Sequence, residues 1–191
     1  MPSTCTTYCV QALSKGTQMQ DILNRTKDIK LLVFDVDGVL TDGSIIIGDD
    51  GEEYKAFHSR DGHGMKLLQY TGVEVGIITG RTSKVVEHRM TSLGIKHIYQ
   101  GQKVKLPAFE KMIKQLELKP EQCAYVGDDW VDLAIMNRVG LAIAVQDAAP
   151  LVREKAHWVT EANGGKGAAR EVCELIMRGQ GNLQDQIERH F

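Results

Sequence analysis

Five short apolar runs separated by helical patterns constrain this chain more than any other feature. Strands are predicted over 31–36, 73–78, 95–99, 123–127 and 140–145, and helices near 62–71, 82–92, 105–117 and 129–137. Apolar strands alternating with helices read as a parallel sheet covered on both faces, a three-layer Rossmann-like α/β fold. A chain of 191 residues can close one such core. One piece departs from the rhythm. The run "SIIIGDDGEEYKAF", 44–57, holds two strand-like segments around Gly48-Asp49-Asp50-Gly51. It predicts a β-hairpin directly after the first strand, where a βαβ unit would supply a helix.

The flanks are read as accessories. Residues 1–28 form an N-terminal extension, with Met19, Ile22 and Leu23 at helical spacing. Residues 29–178 form the main domain. Residues 179–191 form a polar tail, expected to be mobile. The stretch "NGGKGAARE", 163–171, is expected to be a flexible Gly segment leading into a helix. A formal net charge of −2 gives no global attraction to nucleic acid or an anionic membrane. No apolar run has the length of a membrane span, and "MPSTCTTYCVQALSKG" is not built like a secretory signal. A cytoplasmic location is expected. Cys5, Cys9, Cys123 and Cys173 lack a paired metal-site spacing and read as free thiols. The histidines likewise form no metal-like spacing.

In a parallel α/β sheet, ligands bind at the carboxyl ends of the strands. The first predicted strand ends in Asp35-Val36-Asp37-Gly38, the second in Thr79-Gly80-Arg81 and the fourth in Asp128-Asp129, with Asp132 a turn further on. Lys105 opens the helix after the third strand, with Lys103 as its competitor two residues earlier. Carboxylates gathered at one edge repel each other. A hard cation with oxygen ligands offsets this, and Mg²⁺ is the usual choice where phosphate oxygens complete the shell. Thr79 and Lys105 suit a phosphoryl group, as a hydroxyl donor and a compact positive charge. A carboxylate can attack phosphorus, and a second one can protonate the leaving oxygen and then activate water.

These residues resemble the ordered motifs of the haloacid dehalogenase-like phosphatase superfamily. "LLVFDVDGVLT" is similar to its first motif, "VGIITGR" to its second, Lys105 to its third and "VGDDWVD" to its fourth. The resemblance implies that Asp35 is the nucleophile and Asp37 the general acid/base. Thr79 and Lys105 would hold the phosphoryl group. Mg²⁺ would be bound by the Asp35 carboxylate, the Asp37 backbone carbonyl and Asp128. Asp129 and Asp132 stay open between ligand support and helix capping.

Neither the interval from Asp37 to Thr79 nor that from Thr79 to Lys105 holds a cap domain. An uncapped site excludes water poorly. The apolar hairpin is therefore expected to meet other subunits and lend a neighbour's site a lid. The stretches "DGVLTDG", "GEEYKAFHSRDGHGMKLL", "ITGRTSKVVEHRMTSLGI", "YQGQKVKL", "AYVGDDWVDLAIM" and "GGKGAAREVCELI" resemble the capless 3-deoxy-D-manno-octulosonate 8-phosphate phosphatase family. This implies a homotetramer that releases an eight-carbon sugar acid from its phosphate ester, for lipopolysaccharide synthesis. Arg60, Arg81 and Lys166 are the candidates for binding the substrate carboxylate. His58 and His63 depart from the residues usual in relatives and bear on specificity. Two alternatives stand beside this reading: a phosphatase of a related nine-carbon keto-acid sugar phosphate, and a non-enzymatic phospho-aspartate signalling module.

Overall fold

The computed structural model describes residues 19–191. Cys5 and Cys9 lie outside the described residues. The sheet is built from β1 (Leu31–Phe34), β4 (Glu74–Ile78), β5 (His97–Tyr99), β6 (Cys123–Gly127), β7 (Leu141–Ala144) and β8 (Trp158–Val159). These six strands run in the order β5-β4-β1-β6-β7-β8, and every neighbouring pair is parallel. All four residues of β1 are buried, as are all of β6 and β7. That burial on both faces is why these strands read as unbroken apolar runs. Short β8, which the sequence reading leaves out, extends the sheet beside β7. Two residues carry too little pattern to be recognised as a strand.

The hairpin is present as β2 (Ile46–Ile47) and β3 (Glu53–Tyr54), paired antiparallel apart from the main sheet. The helices are α1, whose described part covers 19–26, α2 (Ser59–Tyr70), α3 (Lys84–Ser92), α4 (Leu106–Gln115), α5 (Leu133–Met136), α6 (Pro150–Lys155), α7 (Ala168–Gly179) and α8 (Leu183–Glu188). Helix α2 begins at Ser59, earlier than the apolar periodicity suggests, because its first turn carries the polar residues Ser59, Arg60 and Asp61. Between β1 and β4 lie only the hairpin and α2, between β4 and β5 only α3, and between β5 and β6 only α4 and one 3-10 turn. The described residues thus hold no cap domain.

Three segments are better tied down than their composition suggests. In α1, Ile22 is buried, and the Gln180 side chain donates to the backbone oxygens of Thr26 (3.0 Å) and Ile29 (2.8 Å). The polar tail is not structureless, because α8 buries Gln186 and seats Leu183 against the core. The Gly stretch is not a loose linker either. Gly164 and Gly165 are buried against the loop after β1, and the Gly165 amide donates to Val39 O at 2.9 Å. A Cβ at Gly164 would lie 1.8 Å from Gly38 O. Composition alone cannot tell a glycine that loosens the chain from one that allows two backbones to touch.

Candidate active site

Four strand ends converge on one shallow cavity of about 390 Å³, lined among others by Asp35, Asp37, Thr79, Arg81, Lys105 and Asp128. Asp35 follows β1 directly, and its amide donates to Val126 O at 3.1 Å. The chain then turns sharply, with the amides of Val39, Leu40 and Thr41 all converging on Val36 O. Gly38 completes the turn at φ +88°. There a Cβ would lie 2.2 Å from Asp128 Oδ2, so only glycine lets the loop after β1 approach that carboxylate.

Lys105 is buried and joins two elements. Its Nζ lies 2.8 Å from Asp35 Oδ2 and 2.7 Å from Asp132 Oδ1. Lys103 is exposed and lines the same cavity, without a contact to Asp35 or Asp132. Burial alone would lower the Lys105 pKa, but the charges of Asp35 and Asp132 raise it above its ordinary value. Asp132 is fully buried, and both its oxygens are engaged. Oδ1 accepts from Lys105 and from Tyr125 Oη at 2.7 Å, while Oδ2 accepts from the amides of Asp128 (3.0 Å) and Asp129 (3.3 Å). Asp132 therefore braces Lys105 and the loop after β6. Asp129 caps the following 3-10 turn through Trp130 N at 2.8 Å.

The remaining carboxylate atoms are of a different kind. Asp35 Oδ1 and Asp128 Oδ1 are buried and have no hydrogen-bond partner. Ligand atoms of Asp35, Asp128 and Asp132 lie within 4.8 Å of one another. Burial, with the neighbouring carboxylate charges, pushes Asp128 up to about 8. Burial also raises Asp35, to about 6, against the pull of Lys105. Two acids, one buried and one half-buried, held short of easy ionisation and each with a buried orphan oxygen, form a donor set that fits a hard cation. Asp132, with both oxygens committed, fits that role less well.

Thr79 is buried at the end of β4, with its amide on Tyr99 O at 3.0 Å. Arg81 lines the cavity, but its guanidinium is already paired, with Nη2 at 3.0 Å from Glu53 Oε2. Arg60 and Lys166 do not line the cavity of this chain. Arg60 is exposed, and Lys166 reaches Asp42 Oδ2 at 3.4 Å. In "RDGHG" the buried charged residue is Asp61, whose Oδ1 accepts from Arg170 N at 2.9 Å and caps α7. His58 and His63 lie outside the cavity lining.

Sequence reasoning missed two side chains of the site, one cation and one phenol. Lys55, on the hairpin, has a side chain only 1% exposed and bonds to Asp37 Oδ1. It also pairs with Glu53 Oε1 at 2.6 Å. The signal was present, since Glu53 and Lys55 share one face of a strand whose other face carries Tyr54. Tyr125, inside the apolar run "CAYVG", is the other omission.

With this geometry in view, the comparisons with known proteins decide the family. The chain is 49% identical over 169 residues to the 3-deoxy-D-manno-octulosonate 8-phosphate phosphatase of Yersinia pestis, covering 88% of this chain and 90% of the relative. The chain belongs to the 3-deoxy-D-manno-octulosonate 8-phosphate phosphatase family. A family model for haloacid dehalogenase-like hydrolases matches residues 91–172. The crystal structure of the Yersinia pestis enzyme superposes with a TM-score of 0.85 at 50% identity, covering 86% of this chain and 89% of that one. The Moraxella catarrhalis family member, in complex with magnesium ion, phosphate ion and a KDO molecule, superposes at 0.89 with 42% identity, over 91% and 99% of the two chains. The haloacid dehalogenase-like fold and the phosphatase family expected from the strand-end motifs are those found.

Proposed function

We propose that this protein hydrolyses 3-deoxy-D-manno-octulosonate 8-phosphate to the free sugar acid and phosphate, in lipopolysaccharide biosynthesis. The observation that carries this reading is the pair of orphan oxygens, Asp35 Oδ1 and Asp128 Oδ1, beside Lys105 in a family member. Asp35 is the nucleophile. Its carboxylate forms an O–P bond as the bond from phosphorus to the sugar oxygen breaks. Asp37 gives its proton to that leaving oxygen. Asp37 then takes a proton from water as the water oxygen attacks phosphorus. The O–P bond to Asp35 breaks, phosphate leaves and the enzyme is restored.

Thr79 and Lys105 hold the phosphoryl oxygens by a hydroxyl donor and a fixed ammonium. Mg²⁺ is the cofactor. Asp35, the Asp37 backbone carbonyl and Asp128 would hold it, and it supplies neutralisation of the phosphoryl and carboxylate charges. Arg60, Arg81 and Lys166 are the cations that meet the sugar-acid carboxylate. Residues 29–178 are the catalytic domain, and 1–28 and 179–191 are its extensions.

The active assembly is a cytoplasmic homotetramer in which each hairpin covers a neighbour's cavity. Supporting this, Ile45 (55%), Ile46 (48%), Ile47 (62%) and Tyr54 (55%) are exposed on the hairpin. Such a row of apolar side chains is unusual on a monomer. Trp130 and Val131, beside Asp128 and Asp129, are exposed as well. Light scattering should give a mass of several subunits, and a monomer would sink the shared lid.

The reaction itself is tested by phosphate release from the sugar-acid 8-phosphate, with and without EDTA. A panel of sugar phosphates sets its kcat/KM against that of a nine-carbon keto-acid phosphate. Preference for the nine-carbon compound, or full turnover in EDTA, overturns the proposal.

A further inference from the structure

The hairpin is tied to the active site of its own chain by a closed ring of charges. Lys55 Nζ bonds to Asp37 Oδ1 and, at 2.6 Å, to Glu53 Oε1. Glu53 Oε2 takes Arg81 Nη2 at 3.0 Å, and Arg81 Nε returns to Asp37 Oδ2 at 4.0 Å. The Lys55 side chain is 1% exposed, so this is not a surface ion pair exchanging with water. A buried ammonium wedged between two carboxylates has one low-energy position. The carboxyl of Asp37 lies just past the turn at Val36 and is 22% exposed, so its own loop fixes it less firmly than Asp35 is fixed.

We infer that Lys55 is a positioning residue for catalysis: it holds the Asp37 carboxyl in line with the leaving oxygen, with Glu53 anchoring the Lys55 amine. The hairpin then has two separable jobs. Its apolar face meets other subunits, and its polar face sets the acid/base of its own chain. A lid role alone would need only the first. The chain alternates sides along β3 and its continuation, so Glu53 and Lys55 point to the site while Tyr54 points away. This inference rests on the proposed role of Asp37.

The test uses the full chain with Mg²⁺ and two phosphate esters. The sugar-acid 8-phosphate has a poor leaving group that needs a proton, whereas 4-nitrophenyl phosphate releases a stable phenolate. Asp37→Asn should lower kcat on the sugar phosphate by about a hundredfold or more and spare single-turnover release of 4-nitrophenol. Lys55→Met should copy that signature, with a loss of about ten- to a hundredfold in kcat, KM within about threefold and unchanged assembly mass. Glu53→Gln frees one side of Lys55 without burying an unpaired charge. It should give a smaller loss, about three- to tenfold, with the same dependence on leaving group. It decides the question if Lys55→Met does not fold. Folded variants that turn over both esters like wild type, or lose both equally, overturn the inference. If wild type spares the sugar phosphate, or Asp37→Asn is indifferent to leaving group, the fault lies in the proposed function.

Discussion

Asp35 and Asp132 are both buried acids in contact with Lys105, yet their oxygens are spent differently. Asp132 spends both on Lys105, Tyr125 and two backbone amides, while Asp35 keeps Oδ1 free. The free oxygen belongs to the proposed nucleophile, and the fully bonded carboxylate belongs to the residue that braces Lys105. Asp35→Asn should cut phosphate release by about a thousandfold or more and leave no acid-trapped phosphoprotein, because an amide cannot attack phosphorus usefully. Asp132→Ala should be costly in a different currency. It strands the buried Lys105 ammonium and two amides, so urea unfolding should show a loss of about 3 kcal/mol or more. Equal stability of that variant and wild type would remove the bracing role. From sequence, Asp132 stood between ligand support and capping. The choice depended on Tyr125 and Lys105, which are distant in sequence from one another and meet only in the fold.

The loop after β1 and the Gly stretch before α7 behave as one element. Gly164 faces Gly38 O, Gly165 faces the Thr41 backbone, and Asp61 at the start of α2 caps the same helix. Gly164→Ala forces a methyl group against a backbone oxygen that cannot move without displacing Asp37. It should lower stability by about 2 kcal/mol or more and lower kcat together, measured by urea unfolding and phosphate release. A variant as stable and active as wild type would show that the two segments are not coupled. The elements themselves were legible where the pattern was long. Strands β1, β4, β6 and β7 and helices α3 and α4 fall within a few residues of their expected bounds, because buried strands and amphipathic helices leave periodic traces. The packed glycines and the α8 tail were not legible, since nothing local distinguishes a glycine in contact from one in a linker.

At the scale of the molecule, the site is a store of unfavourable charge offset by a cation. Asp128 has its folded pKa raised to about 8 by burial and by Asp35 and Asp132. A carboxyl raised in the folded state binds a proton that the unfolded chain has lost. Its contribution to stability is whole below the unfolded pKa, near 4, and is lost as pH rises through about 8. His63 and His157 are lowered by burial and gain stability with rising pH only up to the ordinary histidine range. Between pH 7 and 8.5, therefore, the metal-free protein should lose about 2–4 °C of Tm. Added Mg²⁺ should restore it, and by more at pH 8.5 than at pH 7, since binding needs the ionised acid. Differential scanning fluorimetry in EDTA and in Mg²⁺ measures both. A Tm that rises with pH in EDTA would show that Asp128 is not held protonated.

The placement of Asp35, Asp37, Thr79, Lys105 and Asp128 was legible in the sequence: alternating apolar runs dictate a parallel sheet, and that sheet gathers its strand ends at one edge. The missing cap was legible there too, since the intervals between those residues hold too few elements. Which groups meet across the fold was not legible in the sequence. Lys55 against Asp37, Asp132 against Lys105 and Gly164 against Gly38 are contacts between segments far apart in the chain. The physical reason is that periodicity reports which face of an element is buried, whereas pairing across elements depends on how those faces are packed together.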